Sequence, residues 1–518
     1  MNVVLTMVRR LLGLEEPVKD EGPPSGVSEG GKTTGTSGRS PTGGDLRETM
    51  EFVSQEGLDR ILETASDQIS VFATTRPELM KGTADEMLGA LIGELDARLS
   101  AQVNEILHHP SFQSLESAWR GLDYLLSNVE WDAGLKLRVM NISRGDLRSA
   151  LLHAPEETST RSPLSEALFE GVYRSPDGVP YGLLVLDHSV GDCEEDANIL
   201  SEFARICAKA QTPLLTGLSP GTCSSDGFAE ARKAKGEPEP PVLGQPAWAE
   251  LRRNEISRYI GLCLPRMLGR RPYSDKVSPT AGFAFEEEAS VGSASDFLWI
   301  NAAFAMAANI GRAVKTYGWG VRIRGFDSGG EVIGLPEVPM PSAGETAGVM
   351  PPVEIVIGER REAQLAEAGT MPLLYRKASA KPVFFSAQSL NMPCADDDLD
   401  PEAKTEGRVL SRLPYLLCAT RYAHPVMRMA ADWRAPRDEA FEAHVQAWLD
   451  SMVCSQPWAV EPARRASSPL QDATFTLSEG SSGRRAELVI LPGYQLEGIG
   501  VPIRLQLTLP ERTGAGSE

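Results

Sequence analysis

Along the 518-residue chain the spacing of apolar positions changes several times, and each change predicts a different kind of element. Leu88, Leu91, Leu95, Leu99, Val103 and Ile106 recur at steps of three and four, one face of an α-helix, and Pro110 ends the run. Phe112, Leu115, Trp119, Leu122 and Leu126 continue as a second helical stripe, so the pair presents apolar faces that need a partner surface. From Gly134 the period drops to two. Leu135, Leu137 and Val139 alternate with Lys136, Arg138 and Met140, the pattern of a strand with one buried face.

Residues 182–187 are then a nearly continuous apolar run, 194–210 carry Leu200, Phe203 and Cys207 on one helical stripe, and 213–218 are apolar again. This predicts a β-α-β unit whose parallel strands are buried on both faces. Residues 258–264, 297–314 and 321–326 repeat the alternation, which makes the middle of the chain an α/β domain. The Pro- and Gly-rich stretch 336–352 reads as a surface loop, and 410–434 and 437–453 as helices. Strands follow at 486–491 and at Ile503, Leu505, Leu507 and Leu509, which alternate with Arg504, Gln506 and Thr508 until Pro510. The predicted class is α/β in the mixed α+β sense. A terminal strand with one apolar face and unpaired edge groups needs a sheet to join, and that sheet could belong to another subunit.

Composition adds two segments that the periodicity misses. Between residues 17 and 45, 20 of 29 are Gly, Pro, Ser or Thr, too little apolar area to offset the entropy of ordering a backbone. The expected organisation is therefore a short apolar segment at 1–16, a flexible linker at 17–50, a helical region at 51–130, a central α/β domain at 131–395 and a C-terminal α+β domain at 396–518. The 51 Lys and Arg against 71 Asp and Glu give a net charge of −20, which argues against nucleic acid and anionic lipid as partners. Seven cysteines, an odd number without a C-x-x-C pair, fit a reducing compartment. Arg9 and Arg10 follow the first apolar stretch instead of preceding it, and the longest apolar run, 297–310, is too short for a bilayer and holds Asn301 and Asn309. A cytoplasmic location is expected.

Candidate chemistry is sparse. Residues 26–33, ending Gly31-Lys32-Thr33, match the P-loop pattern G-x-x-x-x-G-K-[ST], but Pro23-Pro24 precede them and Gly35 follows. The strand and helix that would aim backbone N–H groups at phosphates are missing from the pattern. Asp187-His188-Ser189 holds the residue types of a hydrolase triad, yet consecutive residues point in different directions and cannot bond in series. The histidines at 108, 109, 153, 188, 424 and 444 have no metal-ligand spacing, and Glu286–Glu288 and Asp396–Asp398 lack the glycine turn of a calcium loop. No catalytic, cofactor or metal residues are expected.

Several stretches resemble the large contractile-sheath subunit of type VI secretion systems, the TssC or VipB family. They are residues 106–122 (with His108-His109-Pro110 and Trp119-Arg120-Gly121), 204–206, 213–217, 264–273 (with Arg270-Arg271-Pro272-Tyr273) and 283–288. Residues 299–307, Gly318-Trp319-Gly320, 323–325, 328–330, Arg360-Arg361-Glu362, 371–373, 387–390, 413–415 and 495–498 complete the set, in consistent order over roughly 55–510. The sequence departs from the family pattern at 424–428, 431–436 and 491–495. The resemblance implies a structural subunit that pairs with a small sheath subunit of the TssB/VipA type. With further copies of itself it stacks into a helical tube around an inner tube of Hcp-type rings on a baseplate. It also implies an AAA+ unfoldase of the ClpV type that recognises a helix like Leu58, Asp59, Ile61 and Leu62. The strands donated between subunits would carry Ala486, Leu488, Ile490, Ile503, Leu505, Leu507 and Leu509. Alternatives are a P-loop nucleotide-binding protein using 26–33, a hydrolase using 187–189, and a divergent sheath paralogue with another assembly role.

Overall fold

The computed structural model describes residues 83–132, 134–152, 162–219, 243, 245–276, 279, 283–290, 293–340, 348–376, 381–392, 407–434, 438–454, 470–480, 483–493 and 502–510, with positions 66, 70, 71, 74 and 75. The chain divides into two compact units, residues 1–93 and 94–518. Helix α1 (Ala84–His108) begins in the first and ends in the second. A capping box starts it: Thr83 N donates to Glu86 Oε2 at 2.8 Å and Glu86 N to Thr83 Oγ1 at 3.4 Å. Helix α2 (Pro110–Ser127) follows, with Pro110 in its first turn and the His109 ring accepting from Ser111 N.

Both helices form where the periodicity predicts them, but much of each apolar stripe is exposed, although Leu91 is buried. Leu99, Ile106, Leu115, Trp119 and Leu126 are each about half exposed. The buried side of α2 is Glu116, Gly121, Tyr124 and Leu125 instead. Gly121 allows this, because a Cβ there would lie 2.2 Å from the Phe304 ring.

Downstream come α3 (Arg144–Leu152), a helical segment at 163–174, β1 (Leu184–Val190), α4 (Glu194–Ala210), β2 (Leu214–Leu218), α5 (Pro246–Arg253), β3 (Ile260–Leu264) and the short pair β4 (Met267–Leu268) and β5 (Trp299–Ile300). Helix α6 (Ala303–Tyr317) precedes the hairpin β6 (Val338–Met340) and β7 (Gly348–Met350), then α7 (Glu359–Glu367), β8 (Met371–Tyr375) and β9 (Pro382–Phe384). The central sheet has the order β1-β2-β3-β8-β9, parallel except for β9. The predicted β-α-β unit is β1-α4-β2. One face of the sheet packs with α4 and α5 around Leu200, Phe203 and Trp248, and the other with α2 and α6 around Tyr124, Phe304 and Met306. Both faces are covered, which is why the strands read as unbroken apolar runs.

Four expectations are corrected. Residues 136–143 form no strand; Leu135 and Leu137 lean on the core while Val139 and Met140 are exposed, and one isolated bridge joins Asp132 to Leu135. Among the described residues no neighbouring strand completes a ladder with them. Residues 321–326 likewise form none, and the stretch 336–352 contains the β6–β7 hairpin. The run 297–314 is split, because β5 precedes α6.

The C-terminal part consists of α8 (Leu413–Asp432), α9 (Asp438–Asp450), β10 (Leu470–Gly480), β11 (Gly483–Pro492) and β12 (Ile503–Thr508). The strands form one antiparallel sheet in sequence order. Helix α8 enters several cores of the larger unit: consecutive Tyr415, Leu416 and Leu417 lie in the cores of the C-terminal sheet, of one face of the central sheet and of its other face.

Candidate assembly surfaces

The seven residues singled out at the C-terminus share one face of one sheet. Ala486 lies opposite Leu507, Leu488 opposite Leu505 and Ile490 opposite Ile503, and with Leu509 all are buried. Their cover is the chain's own. Tyr422, Ala423 and Val426 of α8 and Phe441, Val445 and Leu449 of α9 close the core, where Phe441 meets Phe475 of β10 edge-on at 5.8 Å. The apolar face that alternation reveals is therefore covered within the chain. Strand β10 was missed, although Ala473, Phe475 and Leu477 alternate with Thr474, Thr476 and Ser478 and gave the signal.

A polar junction joins this sheet to the central domain. Gln211, at the end of α4, has a left-handed backbone (φ 54°) that few residues other than glycine adopt. Its Oε1 accepts from Tyr259 Oη at 2.7 Å, and its Nε2 donates to Ala208 O at 2.7 Å and to Gln506 O of β12 at 3.3 Å. Beside it, His424 Nε2 of α8 donates to Ala210 O at 3.1 Å. Burial lowers the imidazole pKa to about 4, the backbone bonds offsetting only part of the cost, so the ring is neutral at pH 7.

A second cluster ties α1 and α2 to the loop at 270–288. The buried Arg270 guanidinium donates to Glu116 Oε1 at 2.8 Å and to Glu287 Oε2 at 2.5 Å, and it stacks over the Tyr273 ring at 4.3 Å. Arg120 bridges Glu116 and the Tyr273 hydroxyl, His108 Nε2 lies 3.2 Å from Glu287 Oε1, and Glu288 N donates to Asn104 Oδ1. Burial disfavours the Arg270 charge, but the Glu287 bond and the two carboxylates outweigh it and hold its pKa above the ordinary value. Spacing did not point to this cluster, because its members come from three separate stretches of sequence.

The other candidates do not assemble into sites. Asp187, His188 and Ser189 follow one another along β1; the Asp187 carboxylate meets Asn301 Nδ2 at 3.4 Å, and among the described residues no hydrogen bond links the three side chains. No group of three or more His, Cys, Asp or Glu that could hold a metal occurs among the described residues. No helix there is long and apolar enough to cross a membrane. Residues 26–33, Leu58, Asp59, Ile61, Leu62 and 396–398 lie outside the described residues.

Comparison with known proteins gives this architecture a context. Residues 89–391 match VipB, the EvpB/VC_A0108 tail sheath N-terminal domain, and residues 402–509 match VipB_2, the EvpB/VC_A0108 tail sheath gpW/gp25-like domain. The chain is 39% identical over 481 residues to the type VI secretion system sheath protein TssC1 of Pseudomonas aeruginosa PAO1, an alignment that covers 89% of this chain and 96% of that protein. Among solved structures, a chain of the cryo-EM structure of the anti-feeding prophage baseplate is similar at 11% identity and a TM-score of 0.31, covering 77% of this chain and 85% of that one. The family is one of structural sheath proteins and is not known for catalysis. With one family model spanning more than half of the sequence and a relative aligned over nearly its whole length, this chain belongs to the TssC/VipB family of type VI secretion tail sheath proteins.

Proposed function

We propose that the chain is the large subunit of a cytoplasmic type VI contractile sheath. It pairs with a small subunit of the TssB/VipA type, and the pairs stack with further copies into a helical tube around Hcp-type rings, seated on a baseplate. Contraction of that tube propels the rings and their spike out of the cell. An AAA+ unfoldase of the ClpV type then dismantles the sheath through the segment containing Leu58, Asp59, Ile61 and Leu62. The role is mechanical and uses neither catalytic residues nor a cofactor.

The observation that carries this reading is the C-terminal sheet. Its apolar face is already covered, so a neighbour can join through edge backbone groups alone, without unfolding either partner. Each backbone hydrogen bond contributes only about 0.5–1.5 kcal/mol net, which lets a link flex while repetition along a filament makes the assembly firm. Contacts that never close on themselves give a filament, as a sheath requires. The exposed apolar side chains of α1 and α2 also suit a chain that spends its life among neighbours.

The test is negative-stain microscopy after co-expression with the small sheath subunit. Hollow helical tubes are expected, and their absence would defeat the reading. Deleting residues 500–518 is a poor control, since Ile503, Leu505 and Leu507 belong to the chain's own core. Gln506→Pro is better: it removes one N–H while leaving those residues in place.

A further inference from the structure

Helix α6 carries two polar residues that the mechanical role does not use. Asn309 is buried, at 1% exposed, and Arg312, one turn further on, is half-buried. Arg312 Nη2 donates to Asn309 Oδ1 at 2.5 Å and to Glu331 O at 2.9 Å. The first bond fixes the orientation of the amide, since the atom facing the guanidinium has to be the acceptor and Nδ2 is then the donor. Asn309 Nδ2 and Arg312 Nη1 are both shut off from solvent, and among the described residues neither meets an acceptor. A buried donor left in this way is costly, and a charged one more so.

The charge is unbalanced as well. Glu331 offers Arg312 only its backbone oxygen, while its carboxylate lies 3.3 Å from Lys381 Nζ, and among the described residues no other carboxylate pairs with the guanidinium. Tyr124 of α2 is the remaining polar neighbour. Burial pushes its hydroxyl up to about 12 even against the Arg312 cation, so it stays neutral, and it donates to Ile333 O at 2.8 Å. Burial also lowers the Arg312 pKa, with Tyr124 offsetting part of the effect, yet a guanidinium keeps its proton at neutral pH. Two open donors and one uncompensated charge thus lie where α2, α6 and residues 331–333 meet. Val332 N donates to Pro382 O at 2.8 Å and Glu331 bridges Val383, so the same segment is also held to β9.

We infer that a small inorganic anion of the chloride type is bound between Arg312 Nη1 and Asn309 Nδ2, accepting a hydrogen bond from each and balancing the guanidinium. Water could accept the same two bonds, but it carries no charge and its own hydrogens would need acceptors. The nearest ones, Glu331 O and Ile333 O, already accept from Arg312 and Tyr124. A halide has no hydrogens to place and suits a site made of donors. Because the helical turn of α6 brings the two donors together, the ion binds the folded chain and not the unfolded one, and so fastens the junction of α2, α6 and the segment beside β9. The inference stands on these side chains and does not depend on the sheath reading.

Unfolding of the full chain, followed while chloride replaces gluconate at constant ionic strength, tests this. Raising chloride from about 10 mM to about 100 mM should lower the unfolding constant by about three- to tenfold, since only the folded form holds the ion. The folded chain should also broaden the chloride NMR line, and added bromide should reverse the broadening by competing for the site. Asn309→Asp keeps the size and the bond from Arg312 but supplies a carboxylate of its own. That variant should unfold at the same midpoint in chloride and in gluconate, and should leave the chloride line sharp. Asn309→Leu removes the donor and should sharpen the line as well, which gives a second variant should the first not fold. A wild-type midpoint indifferent to chloride, or a wild-type line that stays sharp, would mean that water fills the site and would overturn the inference. Line broadening by Asn309→Asp equal to that of the wild type would overturn it too, because the ion would then be bound elsewhere.

Discussion

Arg270 shows how much a single side chain can hold. Its side chain is 7% exposed and that of Glu287 1%, so little water screens the pair, and Glu116 completes the balance from α2. Arg270→Met removes the cation and leaves two buried carboxylates without it, an expected loss of about 3–5 kcal/mol, read as a lower denaturation midpoint. His424 carries the pH dependence. Its pKa is depressed from 6.5 to about 4 in the fold, so the unfolded chain binds more protons between those values. The stability it contributes is full above about pH 6.5 and is lost as pH falls through about 4, roughly 2 kcal/mol of it between pH 7 and pH 5. His424→Gln should shrink the acid-induced drop in midpoint by about that amount, measured against wild type at both pH values. Neither site was legible as chemistry in the sequence, since each draws a partner from more than a hundred positions away, Glu116 for Arg270 and Ala210 for His424. Yet residues 106–122, 264–273 and 283–288, three stretches that carry the family resemblance, are the ones that converge on Arg270.

At the scale of elements, periodicity located helices and buried strands well and misjudged which way some of them face. Of the α2 stripe, Leu115, Trp119 and Leu126 are exposed, while the buried side pairs Tyr124 and Leu125 with a glutamate and a glycine that do not register as apolar. Gly121→Ala tests that contact: the new Cβ meets the Phe304 ring at 2.2 Å, and a loss of about 1–3 kcal/mol is expected from overpacking. Adding Phe304→Leu should recover part of it, as a double-mutant cycle would reveal. The alternation at 135–139 misled for a different reason. Period two reports only that every second side chain is buried, not that a neighbouring strand exists. β11 and β12 were legible as strands, β10 carries the same alternation, and α8 and α9 were legible as helices; that these helices cover the sheet emerges only from the tertiary arrangement.

Taken whole, the molecule leaves apolar side chains exposed along the α1–α2 region, a kind of surface that association consumes. Trp119→Arg should raise the soluble fraction of the lone chain on expression, because it breaks up an exposed apolar stripe. Its denaturation midpoint should stay within about 0.5 kcal/mol of wild type, as for other surface changes. Helix α8 gives the larger unit one further property. Neighbouring positions on a single turn, Tyr415, Leu416 and Leu417, are seated in separate hydrophobic cores, so this rod behaves as an axle on which three packed bodies are mounted. A pull delivered to the C-terminal sheet is then shared with the central domain through this helix as well as through the Gln211–Gln506 junction, and the helix cannot roll or slide without loosening each core it enters.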